Sequence, residues 1–576
     1  MILHISVLLV CATVALCASE DVVVTTKNGE LRGRRVSTGQ TSYLDTFLDI
    51  PFAAPPVGSL RFSAPQPAKT WTGTRNATSF GNMCPQPADP TTHSILPVSE
   101  DCLNLNVYAP NPPSNTLLPV MFWIYGGAYT TGTAAFYNGT ELASKGVVVV
   151  TTNYRLGALG FLSTQDSVCP GNNGLLDQIL ALKWVKDNIA SFHGDPNDVT
   201  IFGESAGSGS VALLRLSPLA QGLFSKAIME SGTSLSPWAV ARPGKDSISP
   251  LQFAQSLGNE TGCSDSDLQS SADLISCLQN VTVDTILKAT ESIYKSTLLL
   301  KFRPTVETVL GVVPDDPQKL LARGAGSNIM SIRGVNKNEY SLFLLSFPLP
   351  GFTLNITVAR IFQLAKEFFP EESQTVASKI IAKYIPSKDP TPKQCREALE
   401  QINTDFDFIV PTIREQQQTM RTPGHAKQYL YEFTYRATHS TRPDWAGVMH
   451  ASELPFVFGQ PFTRDQFFAH NFPFNWTAQD MNVSMNMVTM WTNFAKHGNP
   501  TPQSEGGVSW PPYSLDSESY LDIGSSLSVK ANLKADRVEF WTSIMKSDTS
   551  SGHAPQQGIF QIATLLLFIH IYYFIF

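Results

Sequence analysis

Val199-Thr200-Ile201-Phe202-Gly203-Glu204-Ser205-Ala206-Gly207 decides how the rest of the chain is read. The first four residues are apolar or β-branched and read as a buried strand, and Ser210-Val-Ala-Leu-Leu-Arg-Leu216 beyond the turn reads as a helix. Strand, sharp turn, helix is the setting in which a G-x-S-x-G segment forms a nucleophile elbow. The glycines let the backbone bend tightly and approach its neighbours without a Cβ clash. A serine on that turn stands at a helix N-terminus, where backbone N–H groups and the helix dipole favour a developing anion. The bland alternative is a glycine-rich turn with an idle serine; the flanks on both sides weigh against it.

Outward from the elbow, apolar runs alternate with helical ones. Asp21 to Arg35 alternates and predicts a hairpin, whereas 47–67 is proline-rich and reads as irregular. Strands are predicted at Leu103-Asn-Leu-Asn-Val-Tyr108, at Leu118-Pro-Val-Met-Phe-Trp-Ile-Tyr125 before Gly126-Gly127-Ala128, at 147–154 and at 223–231. Leu175 to Ala190 has helical spacing and runs into Gly194-Asp195-Pro196, read as a turn. Residues 245–325 and 352–422 read as mainly helical, Lys427 to Tyr435 as an alternating strand, and Met487 to His497 as an amphipathic helix. This order argues for an α/β class chain with a large, mostly parallel central sheet flanked by helices, one domain with helical insertions. There is no internal repeat and no linker.

Both ends read as processing segments. Residues 1–18 are apolar and then small, as in a signal peptide cut near Cys17 to Ser19. At the other end, 547–576 holds small residues (Thr549-Ser-Ser-Gly552), a polar spacer (His553 to Gly558) and an apolar tail (Ile559 to Phe576) followed by no Lys or Arg. That combination reads as a GPI-attachment signal, with the lipid at Ser550 and Asp548 or Ser551 as alternatives; a single-pass helix is the competing reading. The expected domain is 19–546, and the expected location is the secretory pathway and the extracellular face of the cell membrane, reached through the lipid anchor.

The chain has 576 residues and a net charge of −7 without long runs, which offers no electrostatic footprint for nucleic acid. Six cysteines remain once the leader is excluded. Cys84 and Cys102, 18 apart, and Cys263 and Cys277, 14 apart, are the local pairs expected to bridge in an oxidising compartment, each worth about 3 kcal/mol. Cys169 and Cys395 could pair, stay buried or bridge to another chain. Sequons at Asn76, Asn138, Asn259, Asn280, Asn355, Asn475 and Asn482 predict a glycosylated surface.

A serine hydroxyl is a weak nucleophile and needs a base, an orienting acid and an oxyanion hole. On an elbow of this kind the chain order is Ser, acid, His. Of His425, His439, His450, His470 and His497, His450 lies in a loop after the 429–435 strand and just before an apolar segment, where its ring can be held near the sheet edge. Glu339 sits in the turn after Ile329-Met-Ser-Ile-Arg-Gly-Val335, a candidate orienting acid, although a solvated turn carboxylate would have the same pattern.

Many further stretches occur in a familiar order: Ile50-Pro-Phe-Ala-Ala-Pro-Pro-Val-Gly58, Ser99-Glu-Asp-Cys-Leu-Asn-Leu-Asn-Val-Tyr108, Trp123-Ile-Tyr-Gly-Gly-Ala128, Asn153-Tyr-Arg-Leu-Gly-Ala-Leu-Gly-Phe161, Gly174-Leu-Leu-Asp-Gln178, Gly334-Val-Asn-Lys-Asn-Glu339 and Gly447-Val-Met-His450. With the elbow, they make residues 22–545 resemble the type-B carboxylesterase and cholinesterase family of α/β-hydrolases. The resemblance implies Ser205, Glu339 and His450 as nucleophile, acid and base, and Gly127, Ala128 and Ala206 as oxyanion-hole donors. Ala128 departs from the commoner glycine. It also implies the Cys84–Cys102 and Cys263–Cys277 bridges and the ion pairs Arg61–Glu100 and Arg155–Asp177. The implied activity is hydrolysis of a small-molecule carboxylic ester through an acyl-enzyme, with no cofactor; the cysteines and histidines show no metal-ligand spacing.

Three departures separate the chain from choline-ester hydrolases. Loop 85–101 has no Phe, Tyr or Trp, Leu342 stands three positions after Glu339 where that group carries an aromatic, and Leu298-Leu-Leu-Lys-Phe302 is largely aliphatic. Apolar or broad carboxylic esters are therefore expected. The alternatives are a cholinesterase-like hydrolase and a non-enzymatic surface adhesion member, the latter disfavoured by intact Ser205, Glu339 and His450. Oligomeric state is not legible.

Overall fold

The computed structural model describes residues 20–37, 43–87, 96–111, 116–243, 246, 248–294, 302–345, 351–463 and 475–547. The leader, Ser550 with the C-terminal tail, 88–95 of the first disulfide loop and 298–301 lie outside the described residues.

Thirteen strands form one sheet among the described residues: β1 (Glu20–Thr25), β2 (Glu30–Ser37), β3 (Tyr43–Pro51), β4 (Thr74–Asn76), β5 (Asn104–Pro110), β6 (Leu118–Ile124), β7 (Val148–Thr152), β8 (Gly194–Glu204), β9 (Lys226–Glu230), β10 (Met330–Asn336), β11 (Gln428–Phe433), β12 (Ser519–Ile523) and β13 (Leu527–Ala531). Their order is β1-β2-β3-β5-β7-β6-β8-β9-β10-β11-β12-β13, with β4 beside β2. From β7 to β12 every pairing is parallel, and the flanks are antiparallel except for short β4, which lies parallel to β2. Val148-Val-Val-Thr-Thr152, Lys226-Ala-Ile-Met-Glu230 and Gln428-Tyr-Leu-Tyr-Glu-Phe433 are buried throughout, because helices cover both faces of the parallel part.

Three readings are corrected. The 47–67 segment is not irregular from its start, since β3 runs to Pro51 and pairs with β5. Gly194-Asp195-Pro196 is not a turn but the head of β8, where Gly194 pairs with Leu118 and the register then shifts. β11 does not alternate inside and outside, because it lies between β10 and β12 and is covered on both faces. The hairpin, the elbow strand and the helix Ala478–His497 contain the stretches read for them; the helix read over Leu175–Ala190 spans Asn173–Asn188, and its last two residues belong to the tighter turn Ile189–Phe192.

Cys84–Cys102 and Cys263–Cys277 are bridged, while Cys169 and Cys395 are separate buried thiols. Arg61 grips Glu100 through Nε and Nη2 at 2.7 Å each, and its Nη1 donates to the carbonyls of Leu278, Gln279 and Val281. The segment closed by one bridge is thereby clamped to the residues immediately beyond the other. Arg155 binds Asp177 at 2.9 and 2.8 Å, and its own backbone N–H donates to the same carboxylate. Six sequon asparagines are exposed; Asn138 is half-buried, its side-chain oxygen accepting from Thr140. Among the described residues, no helix is long and apolar enough to cross a membrane.

Candidate active site

The parallel strands bring their carboxyl ends to one edge, the usual place for a ligand in an α/β sheet. β8 ends at Glu204, and the helix Ala206–Leu216 begins immediately beyond Ser205. Ser205 occupies φ 56°, ψ −124°, a strained conformation for a residue with a Cβ. Its N–H donates to the Glu230 carbonyl at 2.9 Å and its carbonyl accepts from Gly209 at 2.8 Å, so the strain is held from both sides. The glycines have steric causes. A Cβ on Gly203 would lie 2.6 Å from the Ile124 carbonyl oxygen, and one on Gly207 only 2.0 Å from it.

The loop after β6 lies over the serine: a Cβ on Gly126 would come within 2.9 Å of that of Ser205. The Gly127 carbonyl accepts from the N–H groups of Thr130 and Thr131, closing a tight turn. Gly127, Ala128 and Tyr129 all have positive φ. The N–H groups of Gly127 and Ala128 have no acceptor among the described residues, and that of Ala206 is an orphan at the first helical position. Ala128 sits at φ 55° where glycine would be unstrained, and its methyl narrows this corner.

Glu339 follows β10 and His450 lies well beyond β11. They meet because their loops are tied together. Asn338 N–H donates to the Val448 carbonyl at 2.9 Å, Ser341 Oγ donates to the Ala446 carbonyl at 2.6 Å, and His450 N–H donates to the Glu339 carbonyl at 3.3 Å. Gly447, at φ 59°, leaves the space that Asn338 fills. His450 Nδ1 stands 2.6 Å from Glu339 Oε2, and Glu339 Oε1 accepts the Asn336 N–H at 2.6 Å. The carboxylate is thus oriented on one oxygen and orients the imidazole with the other.

The structure does not close a hydrogen bond between Ser205 Oγ and His450. His450 Nε2 lies 3.0 Å from Glu204 Oε1, but off the hydrogen-bonding direction, so this is a charge contact and both atoms lack a hydrogen-bond partner. Catalytic hydrogen bonds of this kind are often open without substrate. Burial disfavours the imidazolium, but Glu204, Glu339 and Glu453 together outweigh it and lift His450 to about 9. Glu204 moves up too, to about 8, because burial outweighs the pull of the His450 charge.

Sequence reading missed several neighbours. Glu453 accepts from the Asn336 side chain, and Glu230 accepts the Trp491 indole N–H at 2.9 Å. Burial, then the nearby carboxylates, raise Glu453 to about 7 and Glu230 well above the carboxylate range. Phe408 and Phe343 stand 4.9 and 5.7 Å from the His450 ring, and Trp238 stands 5.9 Å from Phe408. Glu453 lies three residues after His450 and Phe343 one after Leu342, so proximity in sequence could have flagged both; Phe408, in a distant helical insertion, carries no such signal.

A mostly parallel sheet wrapped by helices, with a strand, elbow and helix at its centre, is the α/β-hydrolase fold. Within it the chain belongs to the Carboxylesterase family, whose family model matches residues 20–541, and it is a carboxylic ester hydrolase. It is 38% identical over 562 residues to Carboxylesterase 1E of Mus musculus, covering 92% of this chain and 94% of that protein. It is 37% identical to Carboxylesterase 1E of Rattus norvegicus, over 91% of this chain and 94% of that one. The Cholinesterase of Mus musculus is 36% identical, over 91% of this chain and 86% of its own length.

Proposed function

We propose that the protein cleaves apolar or broad carboxylic esters by acyl transfer through Ser205, His450 and Glu339. The observation that carries the reading is the 2.6 Å contact of Glu339 with His450 Nδ1, which leaves Nε2 unbonded beside the elbow. Ser205 Oγ attacks the ester carbonyl as His450 takes its proton. Glu339 holds the ring and stabilises the imidazolium. The N–H groups of Gly127, Ala128 and Ala206 receive the oxyanion, each worth about 3 kcal/mol in the transition state. His450 then protonates the leaving alcohol, and water repeats the sequence on the acyl-enzyme. Phe343, Phe408 and Trp238 favour hydrocarbon around the reacting carbonyl.

A choline-ester reading draws on the mouse Cholinesterase relative and on Glu204, but Leu342 offers no aromatic face for a quaternary ammonium. Turnover of a 4-nitrophenyl or naphthyl ester, with Ser205→Ala as control and acetylthiocholine as competitor substrate, tests both. The expected result is loss of at least about 10⁴-fold in Ser205→Ala and preference for the aryl ester. Equal rates for both proteins would remove the triad, and with it the enzyme reading over the adhesion one; preference for acetylthiocholine would select the choline reading.

The protein is further proposed to enter the secretory pathway and to be held on the outer cell surface by a lipid near Ser550. Two disulfides and six exposed sequons favour such a location. Release by a phosphatidylinositol-specific phospholipase is expected; retention on the membrane would favour a spanning helix.

A further inference from the structure

One acidic side chain beside the site takes no part in these steps. Asp407 lies in Asp405–Ile409, a π-helical turn between the helices Pro392–Thr404 and Val410–Met420. Such turns widen a helix and recur at functional sites. The next residue, Phe408, is the one that stands 4.9 Å from His450, and Phe343 stacks on it at 6.5 Å. The Asp407 carbonyl accepts the Trp238 indole N–H at 3.2 Å. Trp238 reaches the elbow: a Cβ on Gly232 would lie 2.7 Å from both its ring and the Ser205 carbonyl oxygen. Residue 407 is therefore tied to two walls of the site at once.

Its carboxyl makes no hydrogen bond or ion pair among the described residues. By contrast Glu339, Glu230 and Glu453 each have a partner. Asp407 is half-buried, as are Ser205, Phe343 and Trp238, so it keeps some exposed surface rather than being sealed in the core. Protein nevertheless encloses it. Burial first, and the Glu367 carboxyl second, push it up to about 7. Tyr340, Glu367 and Arg360 are the other titratable groups whose fields reach this corner. A carboxyl enclosed without a partner costs free energy that a cationic ligand would recover.

We propose that Asp407 is a specificity-determining residue of the ester site, its carboxylate receiving a cationic group carried by the substrate beyond the part that lies against Phe343 and Phe408. The apolar walls take the hydrocarbon, and Asp407 distinguishes an ester bearing a distal ammonium from its neutral isostere. This substrate class rests on the acyl-transfer reading above and sharpens it: the cation would be held at the far end of the substrate by a carboxylate, not on an aromatic face at position 342.

Two isosteric pairs test it. The 4-nitrophenyl esters of 6-(trimethylammonio)hexanoic and 7,7-dimethyloctanoic acid place the charge on the acyl side; the butyrates of choline and 3,3-dimethylbutanol place it on the alcohol side. The readout is the ratio of kcat/KM, cationic over neutral, in the full-length protein. Asp407→Asn is expected to lower that ratio about tenfold in at least one pair, mainly through KM, and Asp407→Glu to restore part of it. Should Asp407→Asn fold poorly, Asp407→Ser poses the same question. A purely structural role would change both members of a pair alike, and an unchanged ratio in both pairs overturns the proposal. Turnover of neither member above that of Ser205→Ala would instead overturn the acyl-transfer reading, and this inference with it.

Discussion

Two groups of buried charge meet around β10 and are balanced in opposite ways. Behind the elbow helix, Glu415 sits between Arg215 and Arg333, at 2.5 and 3.4 Å. Its second oxygen accepts from the N–H and Oγ of Ser234. Arg333 also donates to Gln416 and Gln428 at 2.7 Å each. Burial would raise the Glu415 carboxyl, but the two guanidiniums overcome it and hold it low. Around His450 the ratio is reversed: Glu204, Glu339 and Glu453 share one imidazole, and Glu230 lies behind Glu453 and Glu204. There are too few cations, so protons make up the difference. The first cluster is finished as folded and has no reason to exchange a proton. The second is poised to move one, which is what the proposed acyl transfer asks of it.

The contrast breaks most readily at Glu415. Glu415→Gln leaves two buried guanidiniums without their anion and should cost about 3–5 kcal/mol of stability. A denaturant midpoint that stays in place would mean this cluster is not the structural one. The next effect is at Glu204. In the proposed mechanism His450 must be neutral to act as base, so kcat/KM should rise with pH as the imidazolium loses its proton, and the neighbouring carboxylates keep that limb above the ordinary imidazole range despite burial. Glu204→Gln removes one of the charges that raise it, and the limb should move to lower pH by about one unit, or about 1.4 kcal/mol. An unmoved limb would show that Glu204 does not set the basicity of His450. The smallest effect belongs to Glu230. If it already carries a proton, Glu230→Gln keeps an acceptor for Trp491 and should change stability by less than about 1 kcal/mol. A loss as large as that of Glu415→Gln would show that the second cluster is charged after all.

Much of this was legible along the chain. The elbow was readable because strand, turn and helix are local: period, glycine spacing and flanks all lie within the 194–216 segment. Chain order and loop position made His450 and Glu339 candidates, and the family resemblance singled them out; their side chains stand 2.6 Å apart. The turn read at Gly194 failed because a parallel neighbour, β6, pairs with a segment whose residues favour bending. The surroundings of His450 were not legible. Trp491 and Glu230 are 261 positions apart, and nothing in either local sequence announces the other.

By itself, then, the sequence determined the elements that depend on near neighbours: the elbow and its glycines, the alternation of strands and helices, and the order Ser205, Glu339, His450. Tertiary structure alone decided which charges share a site and which have partners. It set three carboxyls against one imidazole, matched Glu415 to two arginines, and left the Asp407 carboxyl without a partner among the described residues, beside Trp238 and Phe408. The reason is physical. Backbone geometry is set over a few residues, whereas desolvation and charge pairing depend on whichever groups the fold brings within a few ångströms.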